Sequence, residues 1–389
     1  MDHADRTMIS RRGFALGMGG LAIAGTAISR TATAAAPATA ADVPPAIADL
    51  YRKSIVIDAL ASPNSWNVPM PPPGPLNAGQ LENVRKSGIT AINLTVGKPG
   101  GFEDTVREIA FWLNQIELHP DYFRLVKRHS DIAAAKAEGK MGIIFGFQGM
   151  GMIGTDLSLI DTFEQLWVKI MQLTYNDRNA LGAGSSLPDS EGLTELGRQA
   201  VARLNERNIL VDLGHSNART AMDAVKASTR PITISHTGCR AIYNSQRNQP
   251  DEVLRAVAQR GGVVGIYLMP FLGHDPVAAS RRLLMRHIEH ALQICGEDHV
   301  GIGSDQSITP VEITPAYMAV VRKTAEERQK AGIGAPGEAD TPVTVPDVNT
   351  PLRLEIIAND LAKAGHPTRV IEKVIGGNFN RLFKEIWKA

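Results

Sequence analysis

Eight short, apolar, β-branched runs separated by amphipathic segments restrict the possible folds more than any other feature of this sequence. They are SIVIDAL at 54–60, TAINLTV at 90–96, MGIIFGFQG at 141–149, KIMQLTYN at 169–176, ILVDLGH at 209–215, ITISHT at 232–237, GVVGIYL at 262–268 and HVGIGSD at 299–305. The segments between them have helical periodicity. In LTELGRQAVARLNER at 193–207, apolar residues recur every three or four positions with charges opposite. Strand alternating with helix implies parallel pairing, because parallel neighbours need a crossover. Near-continuous apolarity along each run implies burial on both faces. Eight such units over about 250 residues predict an α/β fold, a (β/α)8 TIM barrel. A doubly wound open sheet shares the alternation, but no GxGxxG fingerprint follows the first run.

The first forty residues follow other rules. Ser10-Arg11-Arg12-Gly13-Phe14 leads into the apolar run GFALGMGGLAIAGTAI, and Arg30 and an Ala/Thr-rich stretch follow. This is the pattern of a twin-arginine export signal. The run is short for a membrane span, which needs about 20 residues. Ala38-Thr39-Ala40 offers a small-residue cleavage site, with Ala36 as the alternative. The expectation is a signal over 1–40 and a periplasmic barrel over 41–389 with no membrane span. The 41 basic and 40 acidic side chains give a formal charge of +1, so no general basic field points to nucleic acid or an anionic membrane surface. Cys239 and Cys295 fit neither a CxxC pair nor a zinc finger and read as buried small hydrophobes. Two stretches look like additions to the barrel: the stiff PMPPPGP at 69–75, and an insertion at about 306–352 with a helical piece, AYMAVVRKTAEERQKAG. Both would emerge at the face where barrel active sites lie, which makes a lid one reading and a plain surface insertion the other.

Polar residues recur at the ends of the runs: Asp58, Gln148, Tyr175 with Asn176, His215, His236, Tyr267 and Asp305. In a barrel these converge on one mouth. Two histidines and an aspartate are ligand types that hold zinc or another first-row divalent ion. The same residues, with Arg247 in YNSQRNQPDE offering a guanidinium to a carboxylate, could instead form a small-molecule site without metal. His287 and His290, one turn apart in RRLLMRHIEHAL, read as a solvated helix face.

Taken in order, these segments resemble the membrane (renal) dipeptidases, binuclear zinc enzymes on a metal-dependent amidohydrolase-type barrel. The resemblance runs from VID at 56–58 to GGNFNRLF at 376–383. LVDLGHSN resembles the family's DLSH strand end, ITISHTGCRAIYNSQRN its SHS...RN segment, VGIGSD its GSDFDG strand, and IGGNFNRLF its closing GGNxxRxF. The resemblance implies a small peptide-like substrate and a homodimer. It also implies that His215 and His236 bind the second metal, that Asp305 binds the first and handles the proton, and that Arg247 grips the substrate carboxylate. Tyr175 is a further catalytic candidate, and Tyr267 and Gln148 are candidates for substrate contact.

Departures from the family pattern fall on three metal-ligand positions and on one further histidine. The family's DGHNDLP is DALASPN here, so Leu60 and Ser62 replace a histidine and an aspartate. The bridging glutamate becomes Gln148 in FGFQGMG, and the histidine of LTHN becomes Tyr175 in LTYND. A neutral glutamine cannot neutralise two nearby dications as a bridging carboxylate does. The standard binuclear zinc centre is therefore not expected. His215, His236 and Asp305 with a water have the composition of a mononuclear site for one divalent metal, zinc by ligand type, and an empty site is the alternative. Three functions follow. One is a periplasmic metallohydrolase acting on a dipeptide or related amide. Another is a non-hydrolytic tailoring enzyme for a peptide-derived metabolite or siderophore, with Tyr175, His215 and Asp305 as acid and base groups. The last is a ligand-binding pseudoenzyme.

Overall fold

Each apolar run supplies one strand: β1 Ile57–Asp58, β2 Ala91–Gly97, β3 Met141–Phe147, β4 Val168–Gln172, β5 Leu210–Asp212, β6 Thr233–Thr237, β7 Val263–Ile266 and β8 Val300–Ile302. The computed structural model describes residues 43–64, 74–97, 101–273, 279–332, 334 and 338–387. The expected export signal and the prolines Pro69 to Pro73 lie outside these. The strands are ordered in the sheet as in the sequence, and every neighbouring pair is parallel. Across the seam, the Ala59 N–H donates to the Ile302 carbonyl (2.9 Å) and the Asp305 N–H to Leu60 (2.8 Å). A short parallel pair, Ala61–Ser62 with Gln306–Ser307, continues the seam. First strand thus meets eighth, which makes the barrel expected from the alternation. A strand that no apolar run announced, Phe123–Leu125, lies beside the start of β3.

The strands divide their side chains between two cores. Ile92, Leu94, Ile143, Phe145, Val211, Ile234 and Val264 pack with helix residues such as Ile109, Ala200 and Leu254. Residues near the strand starts, Ile57, Ala91, Ile144, Ile170, Leu210 and Val263, form a second cluster with Phe379, Phe383 and Trp387 of the C-terminal helix Asn378–Ile386 and its last turn. That helix plugs the N-terminal end of the barrel. Each buried aromatic contributes roughly 1.5–3 kcal/mol, and Gly301 makes room for the plug, since a Cβ there would lie 2.5 Å from the Phe379 ring.

The helices begin where their caps direct. Helix α1 (Glu195–Glu206) starts at Thr194, whose hydroxyl accepts from the Gly197 N–H, and buries Gly197, Ala200, Val201 and Leu204 along one stripe. Helix α2 (Ala218–Ala227) starts at Asn217, α3 (Arg281–Cys295) at Ser280 and α4 (Pro315–Lys330) at Thr314, each through the same side-chain contact. Helix α5 (Arg353–Lys363) follows the insertion. Among the described residues no helix is long and apolar enough to cross a membrane. Both cysteines are free and buried.

Candidate active site

A bulge in β6 prepares the mouth. From Ile234 to Thr237 this strand advances three residues while β7 advances two, Val264 to Ile266. The extra residue lets the adjacent side chains of Ser235 and His236 both serve the barrel interior. The Ser235 hydroxyl donates to Asp212 Oδ2 (2.5 Å) and its N–H to Asp212 Oδ1 (2.8 Å). Burial pushes the Asp212 carboxyl up to about 6 against these hydrogen bonds. Because the Ser235 proton is committed to Asp212, the His236 Nδ1–H donates to Ser235 Oγ (2.8 Å). His236 Nε2 is then a bare lone pair, buried and without a hydrogen-bond partner. Gly214 is required beside it, since a Cβ there would lie 2.6 Å from His236 Cε1.

His215 meets His236 edge to face, with ring centroids 4.9 Å apart. Asn176 Oδ1 accepts from the Ser185 hydroxyl (3.0 Å) and from His215 Nδ1–H (2.5 Å), leaving His215 Nε2 to accept from Arg247 Nη2 (3.2 Å). Burial, and then the Arg247 charge, hold both imidazoles well below their ordinary range, so both are neutral. Tyr175, half-buried, stacks on His215 at 4.1 Å. Burial lowers the Arg328 guanidinium of α4, a residue from the insertion, but the Tyr175 hydroxyl and Glu338 hold it above its ordinary range.

Arg247 is 4% exposed, with Nη1 donating to the Gly214 carbonyl (3.0 Å). Its loop is pinned by the next residue: Asn248 Nδ2 donates to the carbonyls of Tyr243 (2.8 Å) and Phe271 (2.9 Å), and its Oδ1 accepts from the Tyr267 hydroxyl. Tyr267 is fully buried, and its hydroxyl holds this loop. The loop is pinned a second time by His287. Where the sequence suggested a solvated face, His287 is fully buried: Nδ1 accepts from the Cys239 N–H and Nε2–H donates to the Leu272 carbonyl, both at 2.9 Å.

Burial holds the His287 imidazole down to about 4, with the Leu272 bond opposing. Its folded pKa lies below the unfolded value, so its contribution to stability is present above about pH 6.5 and lost as pH falls through about 4, some 3 kcal/mol in all. Denaturant unfolding of wild type and His287→Gln at pH 7 and pH 4 tests this. The stability gap between the two proteins should close by about that amount, whereas a pH-independent gap contradicts the assignment.

The remaining expected residues are placed as follows. Gln148, 6% exposed, accepts from Gln172 Nε2 through its backbone carbonyl (2.8 Å). Asp305, 5% exposed, takes a left-handed backbone (φ 57) as the chain leaves β8. Leu60 is a buried hydrophobe, and Ser62 Oγ is bonded to Asn64 (2.5 Å). Asp58 is fully buried and ion-paired with Arg353 at 3.1 Å, a structural role. Among the described residues no three His, Cys, Asp or Glu side chains gather closely enough to hold a metal ion. The set His215, His236 and Asp305 expected from the sequence is thus not assembled as one ligand cluster. A groove of about 1080 Å³ on the outer wall, lined by Met285, Glu289, His290, Asp360 and His366, takes in none of the mouth residues.

Sequence reasoning passed over Asp212, Ser235 and Arg328. The first two lie inside quoted runs, and the inward register of β5, with Val211 facing the helices, was the available signal for Asp212. Arg328 extends the buried Tyr317, Val321 and Ala325 stripe of α4, a charge where an apolar residue is expected.

A parallel eight-stranded barrel with imidazoles, a guanidinium and a carboxylate near the C-terminal strand ends defines an amidohydrolase-type barrel. A crystal structure of an amidohydrolase from Pseudomonas aeruginosa is 29% identical and superposes with a TM-score of 0.75, covering 88% of this chain and 99% of that one. A metallo peptidase from Rhodobacter sphaeroides, liganded with a phosphinate mimic of the dipeptide L-Ala-D-Ala, shares the fold at 19% identity and TM-score 0.66, over 85% and 99% of the two chains. The profile of the membrane dipeptidases (peptidase family M19) matches residues 82–315, more than half of the sequence, and the chain belongs to that family. Dipeptidase tcpJ of Claviceps purpurea is 30% identical over 205 residues, 52% of this chain and 48% of that one. The chain thus spans about half the length of this curated relative.

The family implies a metal, usually zinc. The donor set here does not fit a binuclear centre. Leu60, Ser62 and Gln148 supply neither the imidazole nor the carboxylates such a site needs. His236 Nε2 offers one free lone pair, but His215 Nε2 faces a guanidinium, which repels a dication at that position.

Proposed function

We propose that this chain is an exported, dipeptidase-like hydrolase acting on a dipeptide or related amide, with the metal centre of its family altered or lost. The observation that carries this reading is Arg247. It is a buried cation with no carboxylate within 4 Å among the described residues, fixed by a carbonyl and a neutral imidazole. An unpaired buried charge is costly, and a substrate carboxylate offsets that cost with a bidentate charge-assisted contact. Beside it, His236 Nε2 is a proton acceptor whose other nitrogen leans on Ser235 and Asp212. The dipeptide mimic held by the Rhodobacter relative supports a substrate of this class. The twin-arginine pattern supports a periplasmic location, and the family likeness a homodimer.

The lost ligands favour a second reading. Acid and base groups without a metal suit non-hydrolytic tailoring of a carboxylate-bearing peptide derivative by Tyr175, His215 and Asp305.

Elemental analysis and product mass spectrometry test both. Protein purified without chelator should hold well under two metal equivalents, and a dipeptide panel should give free amino acids. Two equivalents, absent from a His215→Ala/His236→Ala variant, would overturn the altered centre. Products that have not gained water support the tailoring reading. No dipeptide binding and no turnover would sink both.

A further inference from the structure

Asp212 ends β5 as a buried carboxylate, 1% exposed, that ion-pairs with no basic side chain among the described residues. Its partners are donors: Oδ1 accepts from the Ser235 N–H (2.8 Å) and the Gly214 N–H (3.1 Å), and Oδ2 from the Ser235 hydroxyl (2.5 Å). A buried carboxylate without a cation is costly. An asparagine would answer the same two N–H groups at less cost, through its carbonyl oxygen. The carboxylate differs from that amide in having no proton to give. The Ser235 hydroxyl must therefore be the donor to Oδ2, and a hydroxyl has a single proton. Ser235 Oγ can then only accept from His236 Nδ1, 2.8 Å away. Burial keeps the ring neutral, so it carries one N–H, and Nε2 is left bare, the ring atom without a hydrogen-bond partner. Neither Arg247, whose Nη2 goes to His215, nor His215, which meets the ring edge to face, bonds Nδ1. The state of that nitrogen is decided by Ser235.

We propose that Asp212, acting through Ser235, is the positioning residue that fixes His236 in its Nδ1–H tautomer and so keeps Nε2 free to accept a proton. The tautomer stands on these hydrogen bonds; its use in catalysis rests on the reading of His236 as the proton acceptor argued above. The relay makes a sharp expectation for an isosteric change. In Asp212→Asn the Ser235 and Gly214 N–H groups hold the amide oxygen in the place of Oδ1, so the amide nitrogen takes the place of Oδ2 and donates to Ser235 Oγ. The Ser235 proton then turns to His236 Nδ1, the one ring proton resides on Nε2, and the acceptor is lost without a change of shape. Two other buried imidazoles lie outside the relay. His215 donates through Nδ1 to Asn176, and His287 through Nε2 to Leu272, so the two possible tautomers are both present as internal standards.

The ¹⁵N spectrum of histidine-labelled protein at alkaline pH reads the tautomers without any ligand, because a ring nitrogen that carries a proton and one that does not are widely separated in chemical shift. Wild type should show His215 and His236 protonated on Nδ1 and His287 on Nε2, each assigned by its own glutamine substitution. In Asp212→Asn, His236 should change to the Nε2–H form while His215 and His287 keep theirs, which separates the relay from a loss of fold. Ser235→Ala should leave His236 without a single tautomer, and Ser235→Thr, which keeps the hydroxyl, should retain Nδ1–H. His236 protonated on Nε2 in wild type, or still held on Nδ1 in Asp212→Asn or in Ser235→Ala, overturns the proposal. Kinetics read the consequence. Asp212→Asn should lower kcat for a dipeptide by about a hundredfold to ten-thousandfold, the contribution of a general base, with KM nearly unchanged because Arg247 is untouched. If the tautomer inverts and kcat stays, the relay holds and the reading of His236 as the proton acceptor fails.

Discussion

Arg247→Ala should lower kcat/KM for a dipeptide by about a hundredfold to a thousandfold, almost entirely through KM. Truncating one partner of a buried, hydrogen-bonded charge pair costs about 2–5 kcal/mol, and the expected range lies within that span. The effect should be specific to the anion, so that a dipeptide amide, lacking the carboxylate, loses little. Arg247→Lys should recover only a fraction, because an ammonium cannot reproduce the guanidinium fork. The variant should fold, since the loop is held by Asn248 and by the His287 contact to Cys239 rather than by Arg247 itself. A further signature follows from electrostatics. Arg247 is a cause of the depressed basicity of both His215 and His236, so its removal should move the acid limb of the pH profile upward. Equal losses for the dipeptide and its amide would show that Arg247 organises the pocket instead of binding an anion.

The barrel was legible because one signal repeats eight times. Each run is apolar on both faces, and parallel strands clothed in helices leave few other arrangements. The mouth was legible for a related reason: polar residues that end such runs have one place to converge. What stayed hidden depends on register and on long-range contacts. The bulge that turns both Ser235 and His236 to use is set by pairing with β7, which no local pattern encodes. His287 and His290 look alike on a helical wheel, yet the loop laid over α3 buries the first completely. Asp58 ends a run as His215 and Asp305 do, but its carboxylate is bound by an arginine nearly three hundred residues away. Arg328 sits in an insertion whose fold is set by ties between residues far apart in sequence, Val311 with Asn349 and Val343 with Tyr317.

Arg353→Met should be the most destabilising single change outside the mouth, by about 3–5 kcal/mol, because it leaves the Asp58 carboxylate buried and unpaired. The pair is out of solvent on both sides, with 2% of the arginine and 0% of the aspartate side chain exposed. Burial pushes the Asp58 carboxyl up while Arg353 and Ser304 oppose it, so removing the guanidinium leaves desolvation the larger influence. Arg353 does more than neutralise: Nη1 donates to the Ser307 carbonyl (2.8 Å) and Nη2 to Ser304 Oγ (3.1 Å), and Ser304 itself donates to Asp58 through both N–H (2.7 Å) and hydroxyl (2.6 Å). These bonds join the first strand, the end of the eighth and α5 at the seam where the barrel closes. Asp305 follows Ser304 directly in its left-handed conformation, so the same clamp fixes the backbone beneath a mouth carboxylate. Denaturant unfolding of Arg353→Met, Asp58→Asn and the double variant separates charge from packing. The double variant should recover much of the single loss, since replacing both buried partners by neutral groups leaves no charge stranded. Simple addition of the two losses would mean that the guanidinium acts through its carbonyl contacts alone, and that the seam owes nothing to the ion pair.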